Sequence, residues 1–357
     1  MNLLTIVTTT AVILTILSFI LLLGIILLRL FTDRSLDHES DFRKKALPVI
    51  IAFIGGKADT ATALAVLRKE HSLALQLLME ESSRLGRVDS LRLQPLYDGL
   101  SFEKHALKSL QSRVWQSRLH AADTLGYTGR EDSVPPLMSA LRDEVIAVRF
   151  AAARSLVRLQ CLDAVDTILH SLDVPGEVSQ RRVAEILFPL GSSATEPILK
   201  VLGTPSVNDA SRAIAARLAG MLHLERAVPA LSHLLSHQSA NVRLNSVRSL
   251  ASIGDRSSIT TIASLGEDPS WEVRSSVMQA LGKLGAEEQV PLLLQGLSDQ
   301  EWWVRHNAGE ALLAIGDQGT KALRDAADHH VDAYGRDMSK QILQRHGLLE
   351  VTTESLS

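Results

Sequence analysis

Apolar positions along the chain fall into two regimes. From Leu3 to Leu28 the sequence runs LLTIVTTTAVILTILSFILLLGIILL without a charged side chain, and Arg29 follows at once. At about 1.5 Å per residue a helix of that length would measure roughly 39 Å, more than the ~30 Å hydrocarbon core of a bilayer. The run therefore predicts one transmembrane helix in contact with lipid over residues 3–28. A cleavable signal would need a basic n-region, an apolar stretch of about 7–15 residues and a small-residue cleavage site, and none of the three is present. No Lys or Arg precedes the run, whereas Arg29, Arg34, Arg43, Lys44 and Lys45 follow it. The positive-inside bias then predicts a single-pass membrane protein, N-terminus outside and body in the cytoplasm. Leu47 to Ile54 is too short to span and is expected to open the first helix of that body.

Beyond the apolar run, hydrophobic residues recur at helical spacing, and from about residue 113 they do so in copies. An Arg followed by an Ala-rich apolar stretch marks each copy: Arg118, Arg149, Arg182, Arg212, Arg243, Arg274 and Arg305. The interval between successive markers is near-constant at about 31 residues, the period of one helical hairpin. One copy reads DPSWEVRSSVMQALGKLGAEEQVPLLLQGLSD. Val273, Val277, Ala280, Leu281 and Leu284 predict a first helix, A, closing on Gly285 as its cap. Pro291 stands where a first helical turn tolerates a missing N–H, and Leu293, Leu294 and Leu297 supply the buried stripe of a second helix, B. A proline follows the marker arginine at one fixed offset in three copies, from Arg118 to Pro135, from Arg212 to Pro229 and from Arg274 to Pro291. Two such short helices cannot bury their faces alone, so neighbouring copies must stack. The third copy departs from this grammar, with Arg181-Arg182 in place of Val-Arg and Pro189 expected inside its first helix, where it would kink it.

The pattern of Asp143, Val148-Arg149 and Ala152-Ala153, with Leu125-Gly126, Val134-Pro135 and Leu137, resembles short HEAT repeats of the phycobilisome-lyase-like type. The resemblance covers roughly residues 113 to 330. It implies an all-α fold, a right-handed α-solenoid of about seven helical hairpins preceded by the transmembrane helix. The expected organisation is an anchor over 1–31, a charged juxtamembrane linker over 32–45, a helical cap or degenerate repeats over 46–112, the array over 113–330, a closing helix over 331–347 and a tail over 348–357. In the cap, Leu64, Leu67, Leu75, Leu78 and Leu85 lie at helical spacing. In the closing helix, Met338, Ile342 and Leu343 are expected to point inward.

Composition narrows the chemistry. The chain of 357 residues is 46% hydrophobic but only 4% aromatic, which suits helices packed closely on small side chains. A net charge of -3 argues against a nucleic-acid partner, because phosphate neutralisation needs an excess of Lys and Arg. The single cysteine, Cys161, excludes an internal disulfide and a cysteine-based zinc site, and reads as a small apolar filler. The histidines form no HExxH pair or ligand cluster, so neither a metal nor a cofactor is expected. No phosphate-binding loop, dinucleotide fingerprint, GxSxG elbow or Cys-His pair occurs.

Recurring residues then have a structural reading. Asp143, Asp268 and Asp299 each stand six residues before Arg149, Arg274 and Arg305. Together with Arg118, Arg212 and Arg243 they predict a ladder in which an arginine bonds turn carbonyls or a neighbouring aspartate; a catalytic group has no reason to recur in every copy. The position four after the helix-B proline, or after its equivalent in copies without one, carries Ser139, His170, His233, Ser264 and Gln295, with Lys200 near the matching place. This neutral polar stripe is the expected contact face for a protein partner. Trp302 and Trp303, adjacent at the start of a helix A, cannot both be buried by one helical face and complete the candidate partner-binding set. The expected function is a membrane-anchored scaffold or adaptor without enzymatic activity. The alternatives are an accessory subunit of a membrane enzyme complex, such as one making cell-envelope polysaccharide, and a bilin-lyase-like enzyme.

Overall fold

The computed structural model describes residues 3–128, 130–172 and 177–349, and every regular element among them is helical. The chain divides into two units, one taking residues up to Gln111 together with Tyr127 and Thr128, the other Ser112–Gly126 and Arg130 onward.

The first unit contains α1 (Leu3–Ile54), α2 (Thr60–Leu67), α3 (His71–Arg84), α4 (Arg87–Leu91), α5 (Gln94–Gly99) and α6 (Phe102–Ser109). Phe42, Ala46 and Ile50, four residues apart on α1, pack against Leu64 and Leu67 of α2 and Leu77 and Leu78 of α3. Burial of each large aliphatic side chain contributes about 1.5–3 kcal/mol, and this small core is what holds α1 to the unit. Arg43 adds a two-pronged ion pair to Glu80 at 2.6 and 3.0 Å.

Three expectations for this region change. Residues 32–45 are not a linker: α1 continues through them unbroken because Phe42 and Ala46 share the face that enters the core. Leu47 to Ile54 forms the last turns of that same helix and does not open a new one. The single-pass membrane placement, N-terminus outside and body cytoplasmic, is overturned, because among the described residues no helix is long and apolar enough to cross a membrane. The exposed apolar stretch whose side chains are described runs from Ile16 to Leu23. The remaining side chains of the expected span, 3–15 and 25–28, lie outside the described residues, and contact with a lipid bilayer is left without support.

The second unit is a row of helical pairs. The A helices are α7 (Trp115–Thr128), α9 (Ile146–Arg158), α11 (Glu177–Leu187), α13 (Asp209–Met221), α15 (Ala240–Ile253), α17 (Trp271–Lys283) and α19 (Trp302–Ile315). The B helices are α8 (Val134–Ala140), α10 (Ala164–Ser171), α12 (Thr195–Gly203), α14 (Val228–Leu234), α16 (Ile259–Ala263), α18 (Val290–Gly296) and α20 (Asp317–His329), and α21 (Ala333–Arg345) follows. Pro135, Pro229 and Pro291 occupy the first turns of their B helices. Met338, Ile342 and Leu343 of α21 are buried.

Small residues set the spacing of the A row. A Cβ placed on Gly220 would lie 2.7 Å from the Cα of Ser249 on the next A helix, and one on Gly282 would lie 2.7 Å from the Cα of Ala311. Ser155 and Ser249, at the same place in their copies, donate across the gap to the carbonyls of Ala122 and Ala216 at 2.8 and 2.7 Å. Backbones this close leave no room for a bridging water, and the serines are satisfied only by the neighbouring helix.

From α9 onward each A helix is followed by a residue of positive φ. Gln160, Gly191, His223, Gly254, Gly285 and Gly316 hold values between 50° and 101°. Glycine adopts that conformation freely, whereas Gln160 and His223 hold it at a cost of about 1 kcal/mol each. In the irregular copy Pro189 does not lie inside the A helix. α11 stops at Leu187, and Pro189 sits in a 3-10 stretch from Phe188 to Ala194. Proline has no N–H to bond the carbonyl four residues back, so the α-helical ladder stops where a kink was expected.

Candidate interaction surface

The inter-copy turns are built on one local device. At Ser112, Asp143, His237, Asp268, Asp299 and His330 a side-chain atom accepts the backbone N–H two residues on, at 2.9 to 3.2 Å. The carbonyl of each of these residues accepts from the arginine six positions later: Arg118, Arg149, Arg243, Arg274, Arg305 and Arg336. The turn thus supplies acceptors at the start of an A helix, and the arginine of that helix folds back to use them.

Where the turn residue is aspartate a second bond joins the copies. Arg118 chelates Asp143 at 2.7 and 2.9 Å, Arg243 chelates Asp268 at 2.7 and 2.7 Å, and Arg274 chelates Asp299 at 2.7 and 2.8 Å. The Asp268 side chain is 2% exposed, so this pair has little solvent screening. Burial by itself would raise the carboxyls of Asp143 and Asp299. The guanidiniums of Arg118 and Arg274 and the N–H groups of Val145 and Glu301 outweigh it and hold both below the usual carboxylate range.

The ladder is interrupted in three places. Arg149 bonds the carbonyl of Asp143, but its buried Nε has no hydrogen-bond partner. Arg212 turns its terminal nitrogens onto the carbonyls of Leu202, Thr204, Pro205 and Val207, and its Nε is likewise buried without a partner. Arg305 stacks 5.1 Å from the centre of the Tyr334 ring. The marker Arg182 is not a ladder residue: it lies on the ring of Phe150 at 4.7 Å. The register position is Gln180, which accepts from Asn241 at 2.8 Å. Arg336, His237 and His330 were missed by sequence reasoning, although Arg336 stands one full period after Arg305 and His330 one full period after Asp299. The period would have found them.

The helix-B stripe is where it was expected to be reachable. Ser139, His170, Lys200, His233, Ser264 and Gln295 are all exposed. Gln295 donates to Glu267 at 3.0 Å, and His170 meets the carbonyl of Asp166 at 2.8 Å. A groove of about 520 Å³ runs beside Gln295, between Gly266, Leu292 and the Arg274–Asp299 pair. The tryptophans crowd the first turns of A helices. Trp302 stacks face to face on His306 with centroids 4.7 Å apart, and Trp303 meets Trp302 edge-on at 4.8 Å. Trp302 remains 40% exposed and Trp303 54%, so the stack leaves indole surface facing outward. Desolvation beside that stack lowers the His306 imidazole below its ordinary range.

On the A row a groove of about 560 Å³ crosses α15, α17 and α19, floored by Ala251, Ala280 and Ala311 and walled by Arg248, Lys283 and Glu310. A second, of about 520 Å³, includes Arg154, Arg158, Arg182 and Glu185. Among the described residues no three His, Cys, Asp or Glu side chains come together in a way that could hold a metal. Cys161 follows α9 half-buried, and burial pushes its thiol up.

With this geometry in hand, comparison with known proteins is direct. A sequence model of HEAT repeats matches residues 103–187, 195–265 and 259–344, well over half of the chain. The chain belongs to the HEAT-repeat family. The HEAT match reaches past residue 330 and takes in most of α21. No curated protein matches the chain. Among solved structures, YibA of E. coli is 17% identical, with 71% of this chain and 97% of that one covered at a TM-score of 0.42. The CpcE–CpcF complex of phycocyanin lyase from a Nostoc species is 18% identical over 69% of this chain and 94% of the other, TM-score 0.31. Kap95p, solved with RanGDP, is 14% identical over 87% of this chain and 50% of its own, TM-score 0.47. At these identities and scores, no activity or partner is carried over to this HEAT array.

Proposed function

We propose that this HEAT-repeat protein is a protein-interaction scaffold that acts by holding a partner and catalyses nothing itself. The observation that carries the reading is the exposed indole surface of Trp302 and Trp303, locked against His306 at the start of α19. Tryptophan is the residue most enriched in the few positions that dominate binding energy, and a rigid stack loses little conformational entropy when a partner covers it. The helix-B stripe, from Ser139 to Gln295, offers further exposed hydrogen-bonding groups to a partner without forming a dry core of their own.

The test is a photocrosslinker, benzoylphenylalanine, placed at position 303 of the full chain in its native host. One adduct mass recovered reproducibly, and lost when Trp302 is changed to Ala, supports the scaffold reading. Crosslinking no greater than from an exposed position such as Lys321 overturns it.

A further inference from the structure

The A row has a charge character opposite to that of the chain as a whole. Its two grooves are lined by five basic side chains, Arg154, Arg158, Arg182, Arg248 and Lys283, against two carboxylates, Glu185 and Glu310, in a chain of net charge -3. Both carboxylates already have partners of their own: Arg181 donates to Glu185 at 2.9 Å, and Glu310 lies 3.9 Å from Arg345 and meets His346 at 3.0 Å. Arg154 also reaches back to Asp123 at 3.0 Å. Arg158, Arg182, Arg248 and Lys283 are exposed; Arg158 and Arg248 each already take part in an interaction, Arg182 lies on Phe150, and Lys283 makes no hydrogen bond or ion pair among the described residues.

The groove over α15, α17 and α19 has the dimensions and lining of a peptide site. Its floor is alanine, so a main chain can approach the helices closely. Gln279 and Asn307 place amide groups along it, which can both give and receive hydrogen bonds to a peptide backbone. At its base the hydroxyl of Ser276, a residue only 4% exposed, has no hydrogen-bond partner. A buried hydroxyl left unpaired costs about 1–3 kcal/mol, a cost that a bound polar group at the groove would relieve. Three helices spaced by about 8–10 Å give a track of roughly 20 Å, the length of about six extended residues.

We infer that this A-row groove binds an extended peptide segment rich in Asp and Glu, with Arg248 and Lys283 pairing its carboxylates. The inference deepens the scaffold reading by naming a surface and the chemistry of what it holds. Cations set about one helix apart match carboxylates separated by two or three residues of extended chain. They fall far short of the charge density of duplex nucleic acid, one phosphate per about 1.7 Å.

The experiment is fluorescence anisotropy of the full chain with a labelled decapeptide of alternating Glu and Ala, beside the Lys-Ala counterpart and a ten-nucleotide oligothymidylate. The acidic peptide is expected to bind at least tenfold more tightly than the basic one, and to lose about tenfold between 50 and 500 mM salt. R248E/K283E is expected to remove about tenfold or more of that affinity, whereas K321E/R324E, the same charge change on exposed positions of α20, leaves it within twofold. All four residues are exposed, and unchanged helicity and Tm confirm that the variants are folded. The inference is overturned if the acidic and basic peptides bind alike, if R248E/K283E binds as the parent does, or if the oligonucleotide binds more tightly than the acidic peptide. A crosslinked partner at position 303 that survives R248E/K283E, with no acidic-peptide binding, would sink this groove and leave the scaffold standing. Absence of that crosslink in the parent chain, with acidic-peptide binding present there and lost in R248E/K283E, would do the reverse.

Discussion

The junctions that carry an aspartate and those that do not are two answers to one packing problem. Around Asp143, Asp268 and Asp299 each guanidinium is saturated, bonded to turn carbonyls on its own side and chelated by a carboxylate from the next copy. Around the irregular copy, Arg149 and Arg212 keep the carbonyl bonds and leave Nε buried without an acceptor. The turn itself survives without aspartate at Ser112, His237 and His330, because serine and histidine also accept the backbone N–H two residues on. Among the described residues the first kind of junction ties one copy to the next through a chelated, largely buried pair, whereas the irregular copy meets its successor through the exposed pair of Arg226 and Glu196 at 2.5 Å. The repeat's local grammar and its inter-copy bonding are therefore separable.

Four changes would break or sharpen that difference. Asp268→Ala strands the Arg243 guanidinium in a nearly buried site and is expected to cost about 3–5 kcal/mol in urea unfolding; a loss below about 1 kcal/mol would mean the carboxylate is incidental to cohesion. His237→Asp works in the opposite sense. It supplies a carboxylate at the same offset beyond Arg212 as in all three chelated pairs, and is expected to stabilise by about 1 kcal/mol. An unchanged midpoint would show that Arg212 cannot turn from its four carbonyls. Gln160→Gly removes a left-handed strain after α9 and should raise stability by about 0.5–1 kcal/mol, with no comparable gain from an alanine there.

The smallest effect is in pH. The carboxyls of Asp143 and Asp299 are depressed in the folded state, so their stabilisation is complete above the unfolded carboxylate pKa of about 3.9 and is lost as pH falls through the lower folded value. D143N/D299N should flatten the decline in Tm below about pH 4 relative to the parent. A parallel decline would show that other groups govern acid unfolding.

Much of this was legible in the chain itself, and the reasons are specific. Arginines one period apart, and prolines at a fixed offset beyond them, set helix lengths locally, so α7 to α19 and their partners could be read from spacing alone. The same period holds Arg336 and His330, but histidine in place of aspartate, and the Tyr-Gly preceding Arg336, hide the last copy from a search keyed on residue type. Pro189 was misplaced because composition shows that a helix is disturbed and not on which side of the proline it ends. The apolar run at 3–28 misled for a related reason: hydropathy weighs side chains one by one and says nothing about a helix that continues through charged residues to a core at Phe42, Ala46 and Ile50.

The sequence by itself determined the all-helical class, the period, the cap at Gly285 and the presence of a polar stripe on the B helices, because each follows from backbone preferences within a few residues. Tertiary structure alone decided which Arg met which Asp, that Arg182 would stack on Phe150 while Gln180 kept the register, and that basic side chains from separate copies would line grooves floored by alanine. Those outcomes depend on how closely the A helices approach, set by Gly126, Gly220 and Gly282 meeting Ser155, Ser249 and Ala311 of the following copy, a separation that no local pattern spans.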